Sequence, residues 1–297
     1  MKLLELLSRF RATKKVDPPR SLPLQNKEVA MDEFRKGSLH VTATPELITV
    51  ESTSRCNLRC VMCPHAIGAV HRPKHLEEDL VGKLKSYLPR ANAIQLHGIG
   101  EPLASPAFWK LLKLLPSPEL CHSEINTNLT VLDEKRLKGL AESNLKVLNV
   151  SLDAATAETY RKIRGFDFNK VIKNIEKIVA SKKARGSQYP IIYMNMTMMK
   201  SNIDEVVEFV RLASSLGANT VALWHLNRWP AEQMEQYKIK RDDWLFDYAE
   251  EGLWNFPELS NSTVRKAVAE AKRLGIELYM DHNKSIYFDE AMVEKGI

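Results

Sequence analysis

From about residue 46 to residue 228, short apolar runs alternate with longer amphipathic stretches. The pattern predicts strands at 47–51, 93–97, 123–126, 147–152, 191–197 and 220–226. It predicts helices near 77–88, 106–115, 133–143, 156–163, 168–184 and 203–216. The helical period is plainest after Phe168, where Val171, Ile172, Ile175, Ile178 and Val179 share its face. Asn202 followed by Glu205 reads as a capping-box start for the next helix, and Gly217 as its stop. Strands separated by helices need right-handed crossovers and so make a parallel sheet. Both a doubly wound sheet and an open or closed barrel satisfy that pattern.

Outside this region the alternation fades. Residues 1–15 place Leu3, Leu4, Leu7 and Phe10 on one helical face, and an irregular Pro-containing stretch follows. We therefore divide the chain into a helical leader at 1–44, an α/β core at 45–228 and a mixed C-terminal extension at 229–297. The extension holds helices, a short strand near 276–280 and three of the tryptophans, Trp229, Trp244 and Trp254.

Strand parity carries the first chemical signal. In the fourth strand Asn149, Ser151 and Asp153 face one side, and Leu148, Val150 and Leu152 the other. Polar groups turned into a barrel are costly unless a polar ligand meets them. In the fifth strand Tyr193, Asn195 and Thr197 oppose Ile192, Met194, Met196 and Met198, and the methionine row reads as core. The sixth puts Leu223, His225 and Asn227 on one face.

Composition narrows the class. The 297 residues are 44% hydrophobic, enough for one large domain, and no apolar run approaches the ~18 residues of a spanning helix. Glu5 interrupts the N-terminal apolar run too early for a secretory signal. The net charge of +6 is spread among acidic residues along the helices, so we read it as solvated faces and expect no nucleic-acid partner. Of four cysteines, three crowd between Cys56 and Cys63, which suits a metal site in a reducing cytoplasm. Cys121 stands alone and reads as a buried, inert thiol.

The loop Ser54-Arg55-Cys56-Asn57-Leu58-Arg59-Cys60-Val61-Met62-Cys63-Pro64 follows the first strand directly. Parallel-sheet folds place their chemistry at the carboxyl ends of strands. Spacings of four and three residues let a short loop wrap one corner of an iron–sulfur cubane. Three thiolates then bind three irons and leave the fourth without a protein ligand. The competing reading is zinc with His65, His71 or His75 as fourth ligand, but structural zinc usually takes two separated ligand pairs.

With C-x-x-x-C-x-x-C after a first strand, and later segments agreeing in order, the chain resembles the radical S-adenosylmethionine (SAM) superfamily. The resemblance implies a partial (β/α)6 TIM-like barrel, one [4Fe–4S] cluster on Cys56, Cys60 and Cys63, and SAM as cofactor. It implies an enzyme that cleaves SAM reductively to a 5′-deoxyadenosyl radical, which abstracts hydrogen from a peptide or small metabolite. By the same resemblance, Gly98, Gly100 and Glu101 in His97-Gly98-Ile99-Gly100-Glu101-Pro102 belong to the motif at the cofactor ammonium, with Glu101 holding the loop. Ser151 and Asp153 fall where ribose and methionyl contacts lie, although Asp153 reads equally as a cap for the next helix. Arg164 matches the arginine that pairs with the cofactor carboxylate, with Arg161 as fallback. Asn195 is a further cofactor contact, and Leu223 or Leu226 would flank adenine. His225 reads as a substrate acid or base, or as a satisfied histidine of the barrel mouth.

Two positions depart from the family pattern. Met62 stands where many members carry an aromatic residue, and Leu129 replaces the glycine of a Thr-Asn-Gly turn. The motifs are most similar to members with a SPASM or twitch auxiliary-cluster domain, yet no cysteine follows Cys121. The implied partners are the substrate and a flavodoxin- or ferredoxin-like electron donor. Two other readings compete: a radical methyltransferase or RNA-modifying enzyme, and a non-catalytic iron–sulfur electron carrier.

Overall fold

The computed structural model describes residues 21–280. The amphipathic face expected at 1–15 and residues 281–297 of the extension lie outside the described residues.

The expected strands form as β1 (Leu47–Thr49), β2 (Ala93–Gln95), β3 (His122–Thr127), β4 (Val147–Ser151), β5 (Ile191–Met198) and β6 (Thr220–His225). They pair in parallel and in chain order. Next come an antiparallel hairpin, β7 (Lys238–Arg241) with β8 (Trp244–Asp247), and a strand β9 (Glu277–Met280). β9 pairs in parallel with β6, so among the described residues the sheet has seven strands and not six. The strand near 276–280 therefore joins the core sheet, although sequence spacing alone set it in the extension. A hairpin and further helices interrupt the crossover between β6 and β9, which hides the repeat.

The helices are α1 (Leu22–Arg35), α2 (Glu78–Leu84), α3 (Pro106–Leu112), α4 (Glu134–Ala141), α5 (Ala157–Arg164), α6 (Phe168–Ala184), α7 (Val206–Leu216), α8 (Ala231–Gln236), α9 (Tyr248–Glu251) and α10 (Pro257–Leu274). α1 occupies a stretch that read as irregular. Pro23 sits in its first turn, where a missing N–H costs nothing. Asn26 ties the following strap back, donating to Thr44 O at 2.8 Å and accepting from Thr44 N at 2.8 Å.

Parity holds as expected along β4 and β5. Leu148, Val150, Met194 and Met196 are fully buried beneath the helices, each worth about 1.5–3 kcal/mol of burial. α6 buries Val171, Ile175, Ile178 and Val179 as the period predicts. The capping box at Asn202 and Glu205 is a correction. Ile203–Glu205 forms a 3₁₀ turn, and Asn202 makes no side-chain cap. Its amide instead donates to Asp153 O and Thr197 O at 2.9 Å each. Glu205 accepts from Ala155 N at 2.7 Å and from the hydroxyls of Thr156 and Thr159 at 2.6 Å. Both residues thus fasten the β4–α5 loop, Asn202 by donating to a loop carbonyl and Glu205 by accepting from loop N–H and hydroxyl groups. Gly217 ends α7 as expected, in the left-handed region at φ 77°.

Candidate functional site

The cysteine loop leaves the carboxyl end of β1 and folds over the barrel mouth. Val61 N donates to Ile163 O at 2.9 Å, and Cys63 N donates to Cys60 O at 2.9 Å, so the loop is braced against the end of α5. Cys60 is buried, while Cys56 and Cys63 are partly so. Burial pushes all three thiols above their ordinary range, and the Arg164 guanidinium draws each down. N–H donors converge on the sulfurs: Leu58 N at 3.5 Å and Asn128 Nδ2 at 3.7 Å from Cys56 Sγ, and Arg164 Nη1 at 3.7 Å from Cys60 Sγ. Such donors suit thiolates that carry charge to a bound cluster. The donor set therefore fits a cluster with three thiolate ligands. Among the described residues no three His, Cys, Asp or Glu side chains converge on a point for one metal ion. Cys121 lies apart, buried, with its thiol pushed up to about 11 by desolvation.

A roof over this loop was not read from sequence. Tyr237 donates its hydroxyl to Cys63 O. The Arg241 guanidinium donates to Lys162 O and Ile163 O at 2.9 Å each and to Arg59 O. Val61 and Ile163 share a small core with Met234, Tyr237, Phe246 and Tyr248, and Met62 packs at its edge. The cluster of aromatics past residue 220 was the available signal, but nothing in the sequence tied it to residues 56–63. We expect Tyr237→Phe to lower folding stability by about 1 kcal/mol, the usual value of one such bond, with a matching fall in denaturation midpoint. An unchanged midpoint would show that the roof does not brace the loop.

The Gly-Glu segment buttresses the same loop from below. A Cβ on Gly100 would lie 2.2 Å from Thr53 O and 2.6 Å from Arg55 O, and one on Gly98 would lie 2.3 Å from Glu51 Oε1. The lack of side chains at both positions serves the approach to residues 51–55. Glu101 is buried, and its carboxylate accepts from Leu103 N at 3.1 Å, Thr127 Oγ1 at 2.6 Å and Asn128 N at 2.7 Å. It therefore holds the β3 turn that brings Asn128 to Cys56. Burial raises the Glu101 carboxyl, and these three hydrogen bonds counter it. Gly100→Ala should cost about 1–3 kcal/mol and more than Gly98→Ala, because backbone carbonyls cannot swing aside as the Glu51 side chain can. Equal losses in chemical denaturation would refute that difference.

Beneath the loop the strands enclose a cavity of about 660 Å³. Asn149, Ser151, Asp153, Tyr193, Asn195 and Thr197 all line it, as strand parity predicts. Asn195 is only 8% exposed and its Oδ1 has no hydrogen-bond partner. Asp153 adopts the left-handed region at φ 62° and is 1% exposed. It does not cap α5, where Thr156 takes that role. Its Oδ2 accepts from Arg164 Nε at 2.8 Å and Nη2 at 2.5 Å, and its Oδ1 accepts from Thr197 N at 2.7 Å. Burial works against the Arg164 charge, and the Asp153 carboxylate more than restores it, leaving its pKa raised. Two faces of the guanidinium are thus committed to Asp153, and Nη1 lies against Cys60. Arg161 is exposed, beside a separate surface cleft.

Parity corrects the reading of β6. Ala222 pairs with Asn195 and Trp224 with Thr197, so Trp224 fills the lumen side. Leu223 turns into the core under the helices, Leu226 joins the roof, and His225 does not line the cavity. The Thr-Asn-Leu turn keeps the left-handed conformation that glycine would take, with Leu129 at φ 55° and fully buried.

The family model of the Radical SAM superfamily matches residues 50–213. An AdoMet-dependent heme synthase of Methanosarcina barkeri is 30% identical over 185 residues, covering 60% of this chain and 50% of the relative. A GTP 3',8-cyclase of Clostridium botulinum is 30% identical over 173 residues, covering 56% of this chain and 51% of the relative. The chain thus spans about half the length of the curated relatives it matches. The crystal structure of Streptococcus suis SuiB bound to precursor peptide SuiA superposes with a TM-score of 0.60 at 15% identity, covering 98% of this chain and 61% of SuiB. Among the described residues no helix is long and apolar enough to cross a membrane.

Proposed function

This chain belongs to the radical SAM superfamily, and from that premise we propose that it cleaves S-adenosylmethionine reductively to abstract hydrogen from a peptide or small metabolite. The observation that carries the proposal is one buried and two partly buried thiols, with N–H donors at Cys56 and Cys60, above a polar cavity of about 660 Å³. When bound, a [4Fe–4S] cluster supplies the electron that splits SAM into methionine and a 5′-deoxyadenosyl radical.

In this reading Cys56, Cys60 and Cys63 ligate the cluster, and Asn128 and Arg164 donate to the thiolates. Arg164 acts on the cofactor carboxylate only through the guanidinium N–H groups that Asp153 leaves unused. Glu101 acts as a positioning residue, because protein donors occupy its carboxylate. Gly98 and Gly100 shape the loop whose backbone carbonyls would receive the cofactor ammonium. Ser151 and Asn195, cross-strand neighbours in register, offer hydroxyl and amide groups to ribose or the methionyl part. The proposed electron donor is flavodoxin- or ferredoxin-like, and the proposed compartment is the cytoplasm.

Anaerobic reconstitution with iron and sulfide, followed by dithionite and SAM, is expected to yield 5′-deoxyadenosine. Ser151→Ala should lower that yield several-fold with the visible absorbance of the cluster intact. A wild-type protein that cycles its cluster and forms no deoxyadenosine would be a carrier, and the enzymatic reading would fall.

A further inference from the structure

The cavity has two polar levels, and the Proposed function uses only the upper one. Glu124 belongs to the lower. It pairs in register with Gln95 on β2 and with Val147 at the start of β4. Ser151, paired with Asn195, lies four residues further along β4, or about 13 Å at the rise of a strand. The Glu124 carboxylate accepts from Gln95 Nε2 at 2.8 Å and from Asn149 Nδ2 at 3.4 Å, and His122 Nε2 stands 3.5 Å away. Neutral amides therefore orient the carboxylate without cancelling its charge.

The charges facing the cavity can be set against one another. Asp153 and Arg164 neutralise each other in their buried pair. His97 lines the lower level with its Nδ1 buried and unpartnered, and burial lowers its pKa, which favours a neutral ring. His122 is half exposed, and its Nε2 stands 3.5 Å from the carboxylate. Burial raises the Glu124 carboxyl, but hydrogen bonds from His122 and Gln95 outweigh it and hold the group below its ordinary value. A net negative charge thus sits in a concave, partly desolvated place where counter-charge is scarce.

We propose that Glu124, oriented by Gln95 and Asn149 beside His97, is the substrate anchor, and that the substrate presents a cationic nitrogen group to it. That group is an ammonium or guanidinium, as carried by a basic peptide side chain, a peptide N-terminus or an amine metabolite. A carboxylate held by neutral donors favours such a group over an isosteric alcohol and excludes an anion. The proposal rests on the upper level's being the cofactor's place.

The test titrates the cluster-reconstituted 297-residue chain, saturated with SAM, against n-butylammonium, n-butanol and butyrate by ligand-observed NMR. Butylammonium should bind at least tenfold more tightly than the other two, the scale of one charge-assisted pair, and Glu124→Gln should remove that preference. Should Glu124→Gln fail to fold, Glu124→Asp serves, and it must weaken butylammonium more than butanol. Equal affinities in the wild type, or a preference that survives the substitution, would overturn the anchor. Loss of butylammonium binding on going from SAM-free to SAM-saturated protein would also overturn it, by giving the carboxylate to the cofactor. Deoxyadenosine formation by the wild type is assayed in parallel. Its failure removes the enzymatic reading, whereas probe failure with deoxyadenosine formed removes only the anchor.

Discussion

Cys56→Ala, Cys60→Ala and Cys63→Ala are each expected to abolish iron–sulfur absorbance after anaerobic reconstitution, while Cys121→Ala retains it. Loss of a supporting hydrogen-bond partner alone typically costs a metal site 10–100-fold in affinity, so removing a ligand should lower bound iron by at least tenfold. The loop thiols lie under one roof, with N–H donors at Cys56 and Cys60, whereas Cys121 lies buried elsewhere. A Cys121 variant without iron, beside a loop variant that keeps it, would reverse the assignment.

Arg164→Ala is expected to destabilise the fold itself, by about 3–5 kcal/mol, because it leaves the Asp153 carboxylate buried without its counter-charge. For a chain of this size that is a fall in midpoint temperature on the order of 10 °C. The measurement is thermal denaturation of cofactor-free protein. If Arg164 served only the SAM carboxylate, its removal would not move that midpoint. Asp153→Asn added to Arg164→Ala should recover part of the loss, since a neutral amide tolerates burial far better than an unpaired charge. Failure of the double variant to recover would point to lost packing around the guanidinium stem.

The strands, their parity and the cysteine loop were legible because each is written locally. Alternation over 147–153 and 191–197 fixes which side chains meet in the lumen, whatever else the chain does. The loop's metal character follows from spacing alone. What escaped was long-range pairing. The Asp153–Arg164 couple joins a strand end to a helix end, and two residues separately assigned to the cofactor spend most of their hydrogen bonds on each other. The side chains of Asn202 and Glu205 carry a capping signature, but their bonds go to the β4–α5 loop. Leu223 was misplaced by parity counted from the end of β6, whereas the register with β5 sets Trp224 on the lumen side. Glu124 and Gln95 stayed hidden, because one acid on a short strand has no spacing signature.

The roof has a consequence in time. Tyr237 meets Cys63 across 174 residues of chain, and Arg241 meets Arg59 across 182. At a synthesis rate of about 5–20 residues per second, the cysteines emerge roughly ten to forty seconds before the residues that cover them. During that interval neither the Tyr237 bond nor the small aromatic core is available to shield the thiols. β9, the edge partner of β6, is made later still. The order of residues along the sequence therefore sets how long the cysteine loop stands without its roof on the nascent chain.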